Sequence, residues 1–152
     1  MRTINRDIVS VLLLSKEGKL LIGLQSLNEY NVYPGCWGII GGGVDNGEDQ
    51  RTALNREVLE ESGVDIQKYH AELIDVAGGE AEKTLRNTNE RVLVKMKFHV
   101  YRVVMDDKNS NDITVTLNDE HSAYQWLYSS ELSQLKLAPP SEALFKKLGY
   151  LQ

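Results

Sequence analysis

A chain of 152 residues with 41% hydrophobic and 26% charged content can bury one core and is too short for two comfortable ones, so a single domain over 1–152 is expected. The net charge of −5 argues against a broad basic face tracking nucleic-acid backbone. The lone Cys36 excludes an internal disulfide and a cysteine-rich zinc site, which points to a reducing cytoplasm, and no stretch approaches the roughly 20 apolar residues of a membrane span.

In chain order, residues 7–14 and 19–24 are apolar runs separated by Lys16, Glu17 and Gly18, the pattern of a strand hairpin. Residues 27–38 are rich in Asn, Gly and Pro and read as a loop, which the glycine run at 41–43 follows. From Asp49 to Ser62 nothing breaks a helix, Leu54 and Val58 repeat at i, i+4, and Gly63 stands where a left-handed cap is expected. Residues 90–105 alternate, with Val92, Val94, Met96, Phe98 and Val100 on one face and Lys95, Lys97, His99 and Tyr101 on the other. Shorter strands are expected at 113–117 and 124–128, and a closing helix near the C-terminus takes Ser141 as N-cap and Gly149 as stop.

The helix at 49–62 carries the chemistry. With about 100° per residue, Glu61 lies at about +40° and Glu60 at about −60° from Glu57, so the three carboxylates share a face. Partly desolvated, two carboxylates roughly 6 Å apart repel by about 3 kcal/mol at an effective dielectric near 20. A divalent cation would remove that cost. Mg²⁺ takes oxygen ligands, binding through a few carboxylates and substrate phosphates, and Mn²⁺ is expected to substitute. Arg56 cannot be a ligand, but its fork can fix a neighbouring carboxylate.

The pattern extends upstream: Gly42, five residues, Glu48, seven residues, Arg56, Glu57, Val58, one residue, Glu60, Glu61, one residue, Gly63, Val64. It resembles the Nudix box of the MutT-like Nudix hydrolases, with every motif position filled. That resemblance implies an α/β fold, an α/β/α sandwich around a mixed curved sheet. Metal would be held by Glu57 and Glu61, often with Glu60 and a backbone carbonyl near Gly41, while Glu48 and Arg56 orient them. The implied reaction is attack of water on a phosphorus of a nucleoside diphosphate linked to another group. Some members place the general base on a loop before a late strand; Glu120 matches that place, with Glu60 as second candidate.

Substrate contacts are expected from Gly42 and Gly43, from Tyr33 against the nucleobase, and from Lys95 and Lys97, which with His99 either grip phosphates or form a solvated face. Trp37 and Trp126 read as core, and Cys36 as a small packed side chain. His121 either assists a base or hydrogen-bonds at the surface. The chain looks closest to bacterial nucleoside triphosphatases preferring pyrimidine deoxynucleotides, which implies a small nucleotide substrate and a monomer or homodimer. Two departures stand out: Ile40 where many relatives have Pro, and Leu24 and Gln25 where many have an Arg that touches phosphates. Alternatives are hydrolysis of a nucleotide sugar or dinucleotide, or non-catalytic nucleotide sensing. Gly78 and Gly79 occupy the region where relatives acting on ADP-ribose commonly have Pro, which favours triphosphates.

Overall fold

The first strand, β1 (Arg2–Ser15), is longer than its apolar run, because its polar first half is paired as fully as its hydrophobic second half. The computed structural model describes residues 1–152. Six further strands follow: β2 (Leu20–Gln25), β3 (Trp37–Gly38), β4 (Ile40–Gly43), β5 (Ala71–Thr84), β6 (Arg91–Met105) and β7 (His121–Leu127). The two helices are α1 (Gln50–Ser62) and α2 (Pro139–Lys147).

β1 runs parallel to β6 from Arg2 opposite Val92 to Ser15 opposite Met105. Its other edge is divided. β2 turns back through Gly18, at φ 88°, and pairs with β1 only at Leu14 and Leu20. β4 takes the stretch from Ile8 to Val11. The mixed sheet, in the order β3-β2-β1-β6-β5, therefore forks, with β4 on β1 and β7 on β2.

Alternation along β1 sorts the core into two layers. Val9, Val11 and Leu13 pack with Leu54 and Val58 of α1. Leu12 packs with Leu20, Ile22 and Val100 and with Leu144 and Phe145 of α2. One helix thus covers each face, giving the expected α/β/α arrangement. Leu54 is fully buried, so Leu54→Ala is expected to lower unfolding free energy by about 2–5 kcal/mol through lost burial and a residual cavity, measurable by urea denaturation.

Local expectations fail at four places. Residues 113–117 form no strand: Ile113 enters the α1 core, and the Thr116 N–H donates to Ser62 O at 2.8 Å, closing the end of α1 instead of joining a ladder. β7 begins at His121, ahead of the expected residue 124, and pairs with β2. Ser141 does not cap α2, which starts at Pro139, where a missing N–H is harmless; its Oγ accepts from the Ile39 N–H at 3.2 Å. Finally, β5 was not expected at all, yet pairs with β6 from Ala71 to Thr84.

Candidate active site

Asp49 starts α1 by accepting from the Thr52 N–H at 2.8 Å, and Gly63 ends it at φ 71°. Because Leu54 and Val58 face the core, Glu57, Glu60 and Glu61 are turned toward β4, where all three line a cleft. The glycines of β4 admit them. A Cβ on Gly42 would overlap the Glu57 carboxylate, and one on Gly43 would overlap the Arg6 guanidinium. β4 is thus a gap in the side-chain layer through which helix carboxylates reach the cleft.

Arg56 fixes this edge. Its Nε and Nη2 donate to the two Glu48 oxygens, each at 2.8 Å. Nη2 also donates to Gly43 O at 3.0 Å, and Nη1 donates to Glu57 Oε1 at 2.8 Å. One planar fork therefore joins the loop, the glycine strand and the helix. Arg56 first, then the Asp45 N–H, hold the Glu48 carboxyl down at about 2. The Arg56 guanidinium is held firmly charged by the same bonds.

Glu61 is in the opposite situation. It is 4% exposed, and burial, then the hydrogen bond with Glu57 and the charges of Glu57, Glu120 and Glu60, push its carboxyl far above the usual range. Its Oε1 lies 3.4 Å from His121 Nδ1. His121 is not a surface residue: it is buried, its ring occupies the space over Gly23, and burial pushes its pKa down to about 4. A neutral imidazole cannot neutralise Glu61. The donor chemistry therefore fits a hard cation: two carboxyls on one wall of the cleft, one of them deeply desolvated and uncompensated. The expected three-glutamate set is not preassembled, since no three His, Cys, Asp or Glu side chains stand together as a ligand group. Glu60 instead lies 3.5 Å from Arg56 with its side chain 55% exposed.

The cleft encloses about 600 Å³, within the range of nucleotide-sized sites. Gly41, Gly42, Gly43, Tyr33 and Glu120 also line it. Glu120 sits on the loop before β7, 3.7 Å from Arg86, and acts on Glu61 through its charge. Its floor is Val94, Met96, Phe98 and Val100 of β6 beside Ile4 and Ile8 of β1. Lys95 and Lys97 alternate with those floor residues and are exposed, so they lie on the opposite face of the sheet and are removed from the expected substrate contacts. His99, on that same far face, meets Asp7 at 3.2 Å. Trp126 packs at the edge of the α1 core and Trp37 at that of the α2 core; Cys36 is half-buried.

Among the cleft residues that the sequence does not point to are the cations Arg6 and Lys83. For Arg6 a signal exists: it alternates with Ile4 and Ile8, marking the buried-face register of β1. None existed for Lys83 without β5.

The family profile of the NUDIX domain matches residues 4–148. An RNA pyrophosphohydrolase of Sphingopyxis alaskensis is 26% identical over 151 residues, covering 94% of this chain and 89% of that protein. The nucleoside triphosphatase NudI of Klebsiella pneumoniae is 26% identical over 139 residues, covering 91% and 94%. Among solved structures, the MutT protein from Methanosarcina mazei Go1 superposes with a TM-score of 0.60 at 22% identity, over 97% of this chain and 94% of that one. The forked mixed sheet with a helix on each face is thus that of the Nudix fold. The chain belongs to the NUDIX domain family and is a MutT-like Nudix hydrolase.

Proposed function

We propose that this hydrolase cleaves a nucleoside triphosphate to the monophosphate and pyrophosphate in a Mg²⁺-dependent reaction, with pyrimidine deoxynucleotides preferred. The observation that carries the reading is the buried Glu61 carboxyl, which lines a cleft of about 600 Å³ together with Glu57 and Glu60. Glu57 and Glu61 would hold the ion, with the Gly41 carbonyl beside them and Glu60, the most exposed of the three carboxylates, as third donor. When bound, the ion supplies charge neutralisation to the phosphate oxygens and acidity to water. Arg56 keeps Glu57 oriented, and Glu48 keeps Arg56 oriented in turn. Glu120, 42% exposed at its side chain, would take the proton of the attacking water as a P–O–P bridge breaks. Glu60 is the second candidate for that proton. The bare backbone of Gly42 and Gly43 lets a phosphate approach β4, and Tyr33 stands at the cleft edge for the base.

Likeness to the NudI triphosphatase supports the substrate class. The test is a panel of ribo- and deoxynucleoside triphosphates, ADP-ribose, a diadenosine polyphosphate and a 5′-triphosphate RNA oligonucleotide, each with Mg²⁺ or with EDTA. Monophosphate and pyrophosphate are expected from the triphosphates, only with the metal, and fastest from dCTP or dTTP. Turnover confined to the sugar nucleotide, the dinucleotide or the RNA end would replace the proposed substrate, and binding without products would make the domain a sensor.

A further inference from the structure

We propose that Arg6 and Lys83, both outside the family motif, form a two-point clamp for the substrate's polyphosphate chain. This inference rests on the pyrophosphohydrolase reading and deepens it. Both residues line the same cleft as Glu57, Glu61 and Glu120, and they reach it from opposite sides. Arg6 stands on β1 opposite Met96 of β6. Lys83 stands near the end of β5 opposite Val92.

Neither cation has found a partner within the protein. Every other arginine near the site is engaged: Arg56 by four acidic residues, and Arg86 by Asp119 and Glu120, with its guanidinium 4.9 Å above the Tyr30 ring. Arg6 and Lys83 enter no ion pair and no side-chain hydrogen bond. The Arg6 guanidinium instead rests over Gly43, where any larger residue would displace it. Lys83 is partly buried at the margin of the apolar floor, and burial lowers its pKa; the Glu120 and Glu57 charges oppose that fall, while Arg6 and Arg86 reinforce it.

Charges of both signs thus act on one another across the cleft without closing on one another. Surface lysines normally avoid such desolvation, and an unpaired ammonium on an apolar floor is a net cost in the empty protein. A ligand with several anionic oxygens, neutralised on one side by a cation seated at Glu57 and Glu61, removes that cost on the other side. The two side chains suit complementary parts of such a ligand. Arg6 presents a planar fork, and Lys83 a point charge that follows a flexible chain.

At the end of β2, Gln25 is already engaged: its Oε1 accepts the Tyr33 N–H at 3.1 Å, so it holds the loop and leaves Arg6 and Lys83 as the unpaired side chains that can meet a polyphosphate.

The test compares Arg6→Gln, Lys83→Gln and Lys83→Met with the unaltered protein, using Lys146→Gln on α2, whose partner is Glu142, as a charge control. Two readouts are needed: calorimetric affinity for inorganic tripolyphosphate with Mg²⁺, and kcat and KM for the preferred nucleoside triphosphate. Each clamp variant is expected to weaken tripolyphosphate binding by about 10- to 100-fold, as for loss of a charged hydrogen bond, while the control stays unchanged. Lys83→Met should also unfold at an equal or higher temperature, which separates loss of binding from loss of fold. Unchanged tripolyphosphate affinity in folded clamp variants, or none in the unaltered protein, overturns the clamp. If the variants lose tripolyphosphate but the unaltered protein cleaves no triphosphate, the clamp stands and the substrate reading falls.

Discussion

Replacing Glu57 or Glu61 with Gln is expected to cut Mg²⁺-dependent turnover by about 10³-fold, the rate equivalent of roughly 4 kcal/mol of lost transition-state stabilisation. The two variants should differ in stability. Glu57 gives up a 2.8 Å bond to Arg56 when its charge is removed, so Glu57→Gln should be neutral or mildly destabilised. Glu61 is buried and uncompensated, so Glu61→Gln should raise the unfolding temperature of the metal-free protein while disabling the enzyme. Adding Mg²⁺ at 100 times its dissociation constant should stabilise the unaltered protein by about 2.7 kcal/mol, and this increment should vanish in Glu61→Gln. Kinetics and thermal unfolding with and without Mg²⁺ check both halves. Full activity in either variant would reject the metal assignment.

What the sequence reveals follows from how local each feature is. The helix over Asp49–Ser62 is legible because cap, stop and apolar spacing lie within the segment, and its carboxylate face follows from the same spacing. The alternation of β6 is equally legible, but not which face meets the substrate. An apolar face reads as core, whereas here Met96 and Phe98 floor the cleft, leaving Lys95 and Lys97 on the far side. β5 is hidden because Gly78, Gly79 and the acidic residues scattered along it have low strand propensity; its pairing with β6 supplies the missing preference. Phe98 lies close over Gly79, so the glycine that obscures the strand also makes room in the cleft floor. Ser141 looked like a cap because its partner, the Ile39 N–H, is 102 residues away in the chain. His121 was similarly illegible, since its burial depends on Gly23 in a neighbouring strand.

Arg56→Lys keeps the charge and is nevertheless expected to lower kcat/KM by about 10- to 100-fold, the usual consequence of losing an orienting partner beside a metal ligand. The guanidinium meets Glu48 twice, Gly43 O once and Glu57 once. A single ammonium cannot span those directions at once. Glu57 then loses its fixed orientation but not its charge, so higher Mg²⁺ should recover part of the activity in Arg56→Lys and none in Glu57→Gln. A magnesium titration of both variants separates orientation from ligation. Acid unfolding gives an independent check. In the native protein the Glu48 carboxyl is held at about 2 against an ordinary value of 4.5. Its contribution to stability is therefore complete above pH 4.5 and is lost as pH falls toward 2. With Lys at position 56 the Glu48 carboxyl rises toward its ordinary value, less of that contribution exists to lose, and the stability curve should flatten across this window. An unchanged slope together with unchanged kinetics would show that charge alone, without the fork, organises the site.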